Sequence, residues 1–272
     1  CKSLLLRFMK IAVPFAVLTA LLTFTLTTTT QKESHAQFVP FAFWQEGFEP
    51  FTWTGLAGDN DWENTGNWSS GQVPGSGDVA KFRVGACLGA NCNADMTANV
   101  DVAGVDIESG FLGTITQNSG VTIDVGTDGW VQEGGTFAGG DAAIDINGVI
   151  NLSGGAFTST SGDLNFDQNL SIGAAVTFTH NSGTFISDAT NTNISITSNG
   201  KTFSNFTLAQ SSNVDRATTL NDDLYVSGDL TVNQSCFTNS CEIRGGNSIY
   251  VSGDYVSTSV DVAPSGDVDV HL

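Results

Sequence analysis

The chain has 272 residues, 40% of them apolar and only 14% charged, with 28 acidic residues against nine basic ones and a net charge of −19 at pH 7. So few cations cannot neutralise a run of phosphates, which removes nucleic acid and anionic lipid from the partners this chain could hold by charge. The apolar content argues against disorder, and the lack of three-and-four apolar spacing after Ala36 argues against helices.

In chain order, the first element is a leader. Lys2, Arg7 and Lys10 stand before an apolar stretch from Ile11 to Leu26, and Ser34-His35-Ala36 offers small residues at the positions a signal peptidase reads. A basic start, apolar middle and small-residue exit read as a secretory signal over residues 1–36, cleaved between Ala36 and Gln37, with Met9 as a candidate start. The apolar stretch contains Pro14 and several threonines and is shorter than the roughly 20 residues that cross a bilayer, so no membrane insertion is expected of the mature segment. Without the leader, five basic residues face 27 acidic ones, a net charge of −22, scattered as single Asp residues in turns. Such scatter reads as a soluble, self-repelling surface.

Residues 37–96 form an aromatic-rich unit. Trp53, Trp62, Trp68 and Phe82 are large enough to close a small core and are read as an N-terminal cap, the alternative being exposed ring faces that stack on sugars. In the same unit, Asp59-Asn60-Asp61-Trp62-Glu63 sets carboxylates at alternate positions between glycines, as oxygen ligands for calcium are gathered. Asp59, Asp61 and Glu63 are therefore the candidate metal ligands, although the twelve-residue loop with its terminal bidentate acid is missing and a solvated turn is the competing reading. No other cofactor is implied.

From 97 to 272 the chain repeats itself. Ile123-Asp124-Val125 lies over Ile144-Asp145-Ile146, 21 positions on; Phe137 lies over Phe157, 20 on; Tyr225-Val226-Ser227-Gly228-Asp229 recurs as Tyr250-Val251-Ser252-Gly253-Asp254, 25 on. Ser182-Gly183-Thr184-Phe185 echoes the Gly-x-Phe ending of the earlier units. A strand of about five residues supplies two or three inward side chains and cannot bury a core alone, but stacked coils can. The expected fold is all-β, a β-solenoid, with an antiparallel β-sandwich as the alternative.

Four cysteines remain after the leader, in two pairs of equal spacing. Cys87 with Cys92, and Cys236 with Cys241, each enclose four residues, and in an oxidising compartment each pair is expected to close a disulfide. A shared zinc site would have to bring distant coils together.

The ordered series Trp53-Thr54-Gly55, Gly58-Asp59-Asn60-Asp61-Trp62, Asn67-Trp68-Ser69, Val73-Pro74-Gly75 and Gly77-Asp78-Val79-Ala80-Lys81-Phe82 resembles the opening of bacterial surface and autotransporter-like β-strand repeat proteins. Phe178 to Phe185 and Val226 to Val232 are similar to the body repeats of that group. The resemblance implies a right-handed parallel β-helix displayed at, or released from, a bacterial cell surface. It implies a structural or adhesive role toward surface glycans or a host or neighbouring cell, no catalytic residues, and an anchor beyond Leu272.

The same residues bear on enzymatic readings. A polysaccharide lyase needs clustered cations, whereas Lys81, Arg83, Lys201, Arg216 and Arg244 are mostly isolated. A glycoside hydrolase needs two carboxylates across a cleft, and the sequence singles out no pair with one member in an apolar setting. Asp222-Asp223 reads as a turn and His180 as an outward strand residue. An ice-binding face would need a regular file of Thr-x-Thr, whereas the pairs Thr114 with Thr116 and Thr177 with Thr179 stand far apart.

Overall fold

The computed structural model describes residues 49–212, 216–236, 241–258 and 268–272, all within the unit Gln45–Leu272. The leader, with its cleavage site at Ala36 and Gln37, lies outside the described residues.

The described residues contain no α-helix. They form short strands paired in parallel ladders, stacked as a β-solenoid of about eight coils. Parallel pairing excludes the antiparallel sandwich, because hairpin-linked strands run in opposite directions whereas successive coils run the same way. Among the described residues the one antiparallel contact is a bridge between Trp53 and Trp68.

Each coil has three faces. The first carries Val79–Phe82, the second halves of Val100–Ile107 and Ile123–Gln132, then Ile150–Leu152, Leu170–Ile172, Ile194–Thr197, Arg216–Leu220 and Cys241–Arg244. The second carries the first halves of those two long strands, then Ile144–Ile146, Asp163–Phe166, Thr184–Ser187, Asn205–Leu208, Leu230–Val232 and Tyr255–Ser257. The third carries Ala94–Met96, Thr114–Gln117, Thr136–Ala138, Ala156–Thr158 and Thr177–Thr179. A separate ladder of Thr202–Phe203, Leu224–Val226, Ile249–Val251 and Val270–His271 takes the third position in the later coils.

Period-two patterning produces this architecture: along each strand alternate side chains point inward, and register stacks them on the same position of the next coil. On the second face Ile123, Ile144, Leu164, Phe185, Phe206 and Leu230 form one such file, each no more than 1% exposed. The intervals along it are 21, 20, 21, 21 and 24 residues, matching the spacing read from the sequence. One repeat falls on a different face from the one its sequence motif implies. Phe157 is followed on the third face by Phe178, while Phe185 belongs to the second face, because Gly-x-Phe marks any corner followed by an inward ring.

Corners demand glycine where coils approach closely. Gly129 has φ +75°, and a Cβ there would stand 2.4 Å from the carbonyl oxygen of Val149 on the next coil. Buried corner amides are satisfied across coils. Gln117 Nε2 donates to the carbonyls of Val121 (2.6 Å) and Ala142 (3.1 Å), and its Oε1 accepts from Gly140 N at 2.9 Å.

The N-terminal aromatics pack into this core. Trp53, Trp62, Trp68 and Phe82 are 0–3% exposed, with ring centroids 4.8 Å apart for Trp62 and Trp68 and 5.1 Å for Trp53 and Trp68. Phe82 contacts Phe111 at 5.3 Å and so joins the cluster to the coils. No face of these four rings is open to a sugar. The ladders already include Val79–Phe82 and Ala94–Met96, so the first coil is interleaved with the aromatic unit.

Candidate functional site

The most unusual electrostatics lie on the second face, where the coils bring together carboxylates far apart in sequence. Asp101, Asp124 and Asp145 occupy one outward file, in register. Asp167 and Asp188 directly follow Phe166 and Ser187, which are paired, so their carboxyls stand on adjacent coils at the corner beyond that file. Burial raises the pKa of Asp167 to about 6, assisted by a hydrogen bond to the Asp188 side chain and by the charges of Asp188 and Asp145. Asp145 is also raised, chiefly by burial and then by the charges of Asp124 and Asp188. Oδ1 of Asp188 is buried and receives no hydrogen bond. A proton on Asp167 relieves both difficulties, since it removes one charge from a crowded corner and gives the pair a donor. Chemically, the corner can hold a proton at mildly acidic pH and release it near neutrality. Sequence reading missed this pair because its members are 21 residues apart and neither stands beside another acid. The available signal was that both directly follow an inward strand residue one coil apart.

The carboxylates singled out from sequence are used otherwise. Asp59 Oδ1 accepts from Asp61 N (3.1 Å) and Asn67 Nδ2 (2.7 Å), while its Oδ2 accepts from Asn64 Nδ2 (2.6 Å). The Asn67 and Asn64 bonds, with that from Asp61, hold its pKa below the ordinary value. Asp61 Oδ1 accepts from Glu63 N at 3.3 Å, and Glu63 reaches the next coil, accepting from Thr97 Oγ1 (2.8 Å), Thr97 N (3.3 Å) and Ala98 N (3.1 Å). Thr97 Oγ1 also lies 3.3 Å from Asp61 Oδ1, so Asp61 and Glu63 share that hydroxyl while Asp59 is held by Asn64 and Asn67, and among the described residues no group of three His, Cys, Asp or Glu is gathered to hold a metal.

Asp222 accepts from Ser198 N (2.8 Å), Ser198 Oγ (3.0 Å) and Asn199 N (2.5 Å), and Asp223 from Ser248 N (2.8 Å), so this adjacent pair braces two neighbouring turns. Lys81 pairs with Glu49 at 2.7 Å and Arg83 with Asp106 at 2.6 Å. His180 Nδ1 accepts from Ser182 N at 3.0 Å, which fixes its ring over a corner. Cys87 and Cys92 form the expected disulfide. Cys241 is disulfide-bonded, while the side chain of its expected partner Cys236 lies outside the described residues.

An outward aromatic file runs through Tyr225, Tyr250 and His271, stacked at 5.0 and 4.8 Å with interplanar angles of 8° and 14°. Rings stacked face to face cover one another and leave their edges to solvent, so the file ties coils together and presents no broad sugar platform. Near the aromatic unit, the exposed side chains of Leu88 and Leu112 rim a cavity of about 290 Å³ that the Cys87–Cys92 loop also lines. Among the described residues no helix is long and apolar enough to cross a membrane. No protein-family model matches the chain, and neither the curated proteins nor the solved structures include a match to it.

Proposed function

We propose that this chain is an exported, non-catalytic β-solenoid that serves as a stalk or adhesive surface, displayed at or released from a bacterial cell, with surface glycans or a neighbouring cell as partner. The observation that supports this reading is how the polar side chains are used. Asp59, Glu63, Asp141, Asp222, Asp223 and Asp229 each accept hydrogen bonds that brace a turn or join one coil to the next. A chain whose acids hold successive coils in register is organised for length and regular outer faces, and weak contacts repeated along such faces sum to adhesion. The test is adhesion of cells that express the full chain against cells lacking residues 97–272. Loss on deletion supports the adhesive role; full retention sinks it. N-terminal sequencing of secreted protein beginning at Gln37 would support export, and an intact leader would count against it.

A further inference from the structure

The third face carries a pattern that the sequence hides. Ile115, Phe137, Phe157 and Phe178 point inward from four successive strands, leaving two outward positions on each strand. Register aligns Thr114, Thr136, Ala156 and Thr177 in one file and Thr116, Ala138, Thr158 and Thr179 in the other. The pairs Thr114 with Thr116 and Thr177 with Thr179, far apart in the sequence, are therefore the outer rows of one grid, whose middle rows each supply one Thr and one Ala.

Six of the eight grid positions are Thr, two are Ala, and none is charged, on a chain whose net charge is −19. Thr177 and Thr179 are exposed and the other six are half-buried. None of the six hydroxyls makes a hydrogen bond to another described residue. Branching at Cβ limits each Thr to few rotamers, so hydroxyls and methyls are held in place without further bonds. Parallel strands fix the grid at about 4.8 Å along each file and about 6.7 Å between files.

We propose that this grid binds the surface of ice. The two spacings are close to the oxygen repeats on a prism face of hexagonal ice, so hydroxyls can enter lattice positions while methyls and the two Ala side chains sit against the plane between them. Electrical neutrality points the same way. The four rows form an uncharged patch on an acidic molecule, bounded at one end by Asp95, which is in register with Thr116; such a patch matches a neutral partner, and a rigid two-dimensional repeat matches a partner with its own rigid repeat. A soluble glycan would instead be gripped by a deep cleft or by open ring faces; the grid offers no ring face, and Thr136, Ala156 and Thr177 border only an open groove beside Leu112. The grid stands whether or not the chain is displayed on a cell, so this inference goes beyond the stalk reading.

The experiment is partition of the full chain into slowly growing ice, with thermal hysteresis measured on the same samples. Thr158→Lys and Thr177→Lys place a charge in the grid, and Thr231→Lys on the second face is the control; melting curves identify which variants fold, and either grid variant suffices. The expected result is enrichment of the wild-type chain and of Thr231→Lys in ice, with loss of enrichment and hysteresis in the grid variants. Exclusion of the wild-type chain from ice, or unchanged partition of a folded grid variant, overturns the proposal. Retention on microcrystalline cellulose or chitin that disappears in the same variants would give the grid to a polysaccharide lattice and overturn it too.

Discussion

Asp167→Asn should stabilise this protein at neutral pH and leave it unchanged in acid. In the folded chain Asp167 titrates at about 6, against 3.8 for its ordinary value, so the folded state binds the proton more tightly than the unfolded state does. The associated stability is present in full below the ordinary value and is lost as pH rises through about 6. The difference corresponds to a ceiling of about 3 kcal/mol, which solvent screening at a half-buried group reduces to about 1 kcal/mol. Asparagine reproduces the protonated form, since its amide can donate to the buried Asp188 oxygen while carrying no charge. The variant should then melt about 2–4 °C above the wild type at pH 7.5, and the gap should close as pH falls toward 4. Thermal melts followed by circular dichroism between pH 4 and 8 provide the measurement. A gap that is independent of pH, or a variant that is less stable at pH 7.5, would refute the reasoning.

Trp62→Ala removes a side chain 1% exposed, packed against Trp68 and Phe82, and should cost about 3–5 kcal/mol in urea unfolding. Gly129→Ala must place a Cβ against the Val149 carbonyl at positive φ; a loss of about 2 kcal/mol or more is expected, read as a lower melting temperature, and an unchanged melt would contradict the tight corner. Replacing Cys87 and Cys92 with serine opens a loop of only a few residues and should cost no more than about 2 kcal/mol, with the fold kept in the far-ultraviolet spectrum.

Repetition made the fold legible. Ile123 over Ile144, Phe137 over Phe157 and Tyr225 over Tyr250 are register partners in the structure as they are in the sequence, because stacking imposes similar residues at equivalent positions. What escaped notice depended on lengths that vary between coils. On the first face the step from Ile150 to Leu170 is 20 residues and the step from Leu170 to Ile196 is 26, so counting along the chain loses phase. Phe185 was placed by its local motif and belongs to another face. Asp167 and Asp188 meet, and the four rows of Thr and Ala align, through register alone. Pairings within a few residues, such as Cys87 with Cys92, needed no register and were readable directly. For Asp59 the sequence leaves a calcium ligand and a solvated turn as competing readings; which amides reach its oxygens, those of Asn64 and Asn67, depends on the path of the turn and is visible only in the structure.

The ladder hydrogen bonds run from coil to coil, along the stacking direction, so a pull on the two ends loads them lengthwise and in series. Each coil touches chiefly its neighbours, and rupture should therefore proceed one coil at a time, as beads leave a string. A released coil of 20 to 26 residues lengthens the chain by roughly 70–90 Å. The Trp53, Trp62 and Trp68 cluster, knotted to Phe82 and through it to Phe111, gives the N-terminal end the firmest grip. Tension would then unwind the molecule with a direction, shedding length from the far end while the aromatic end holds.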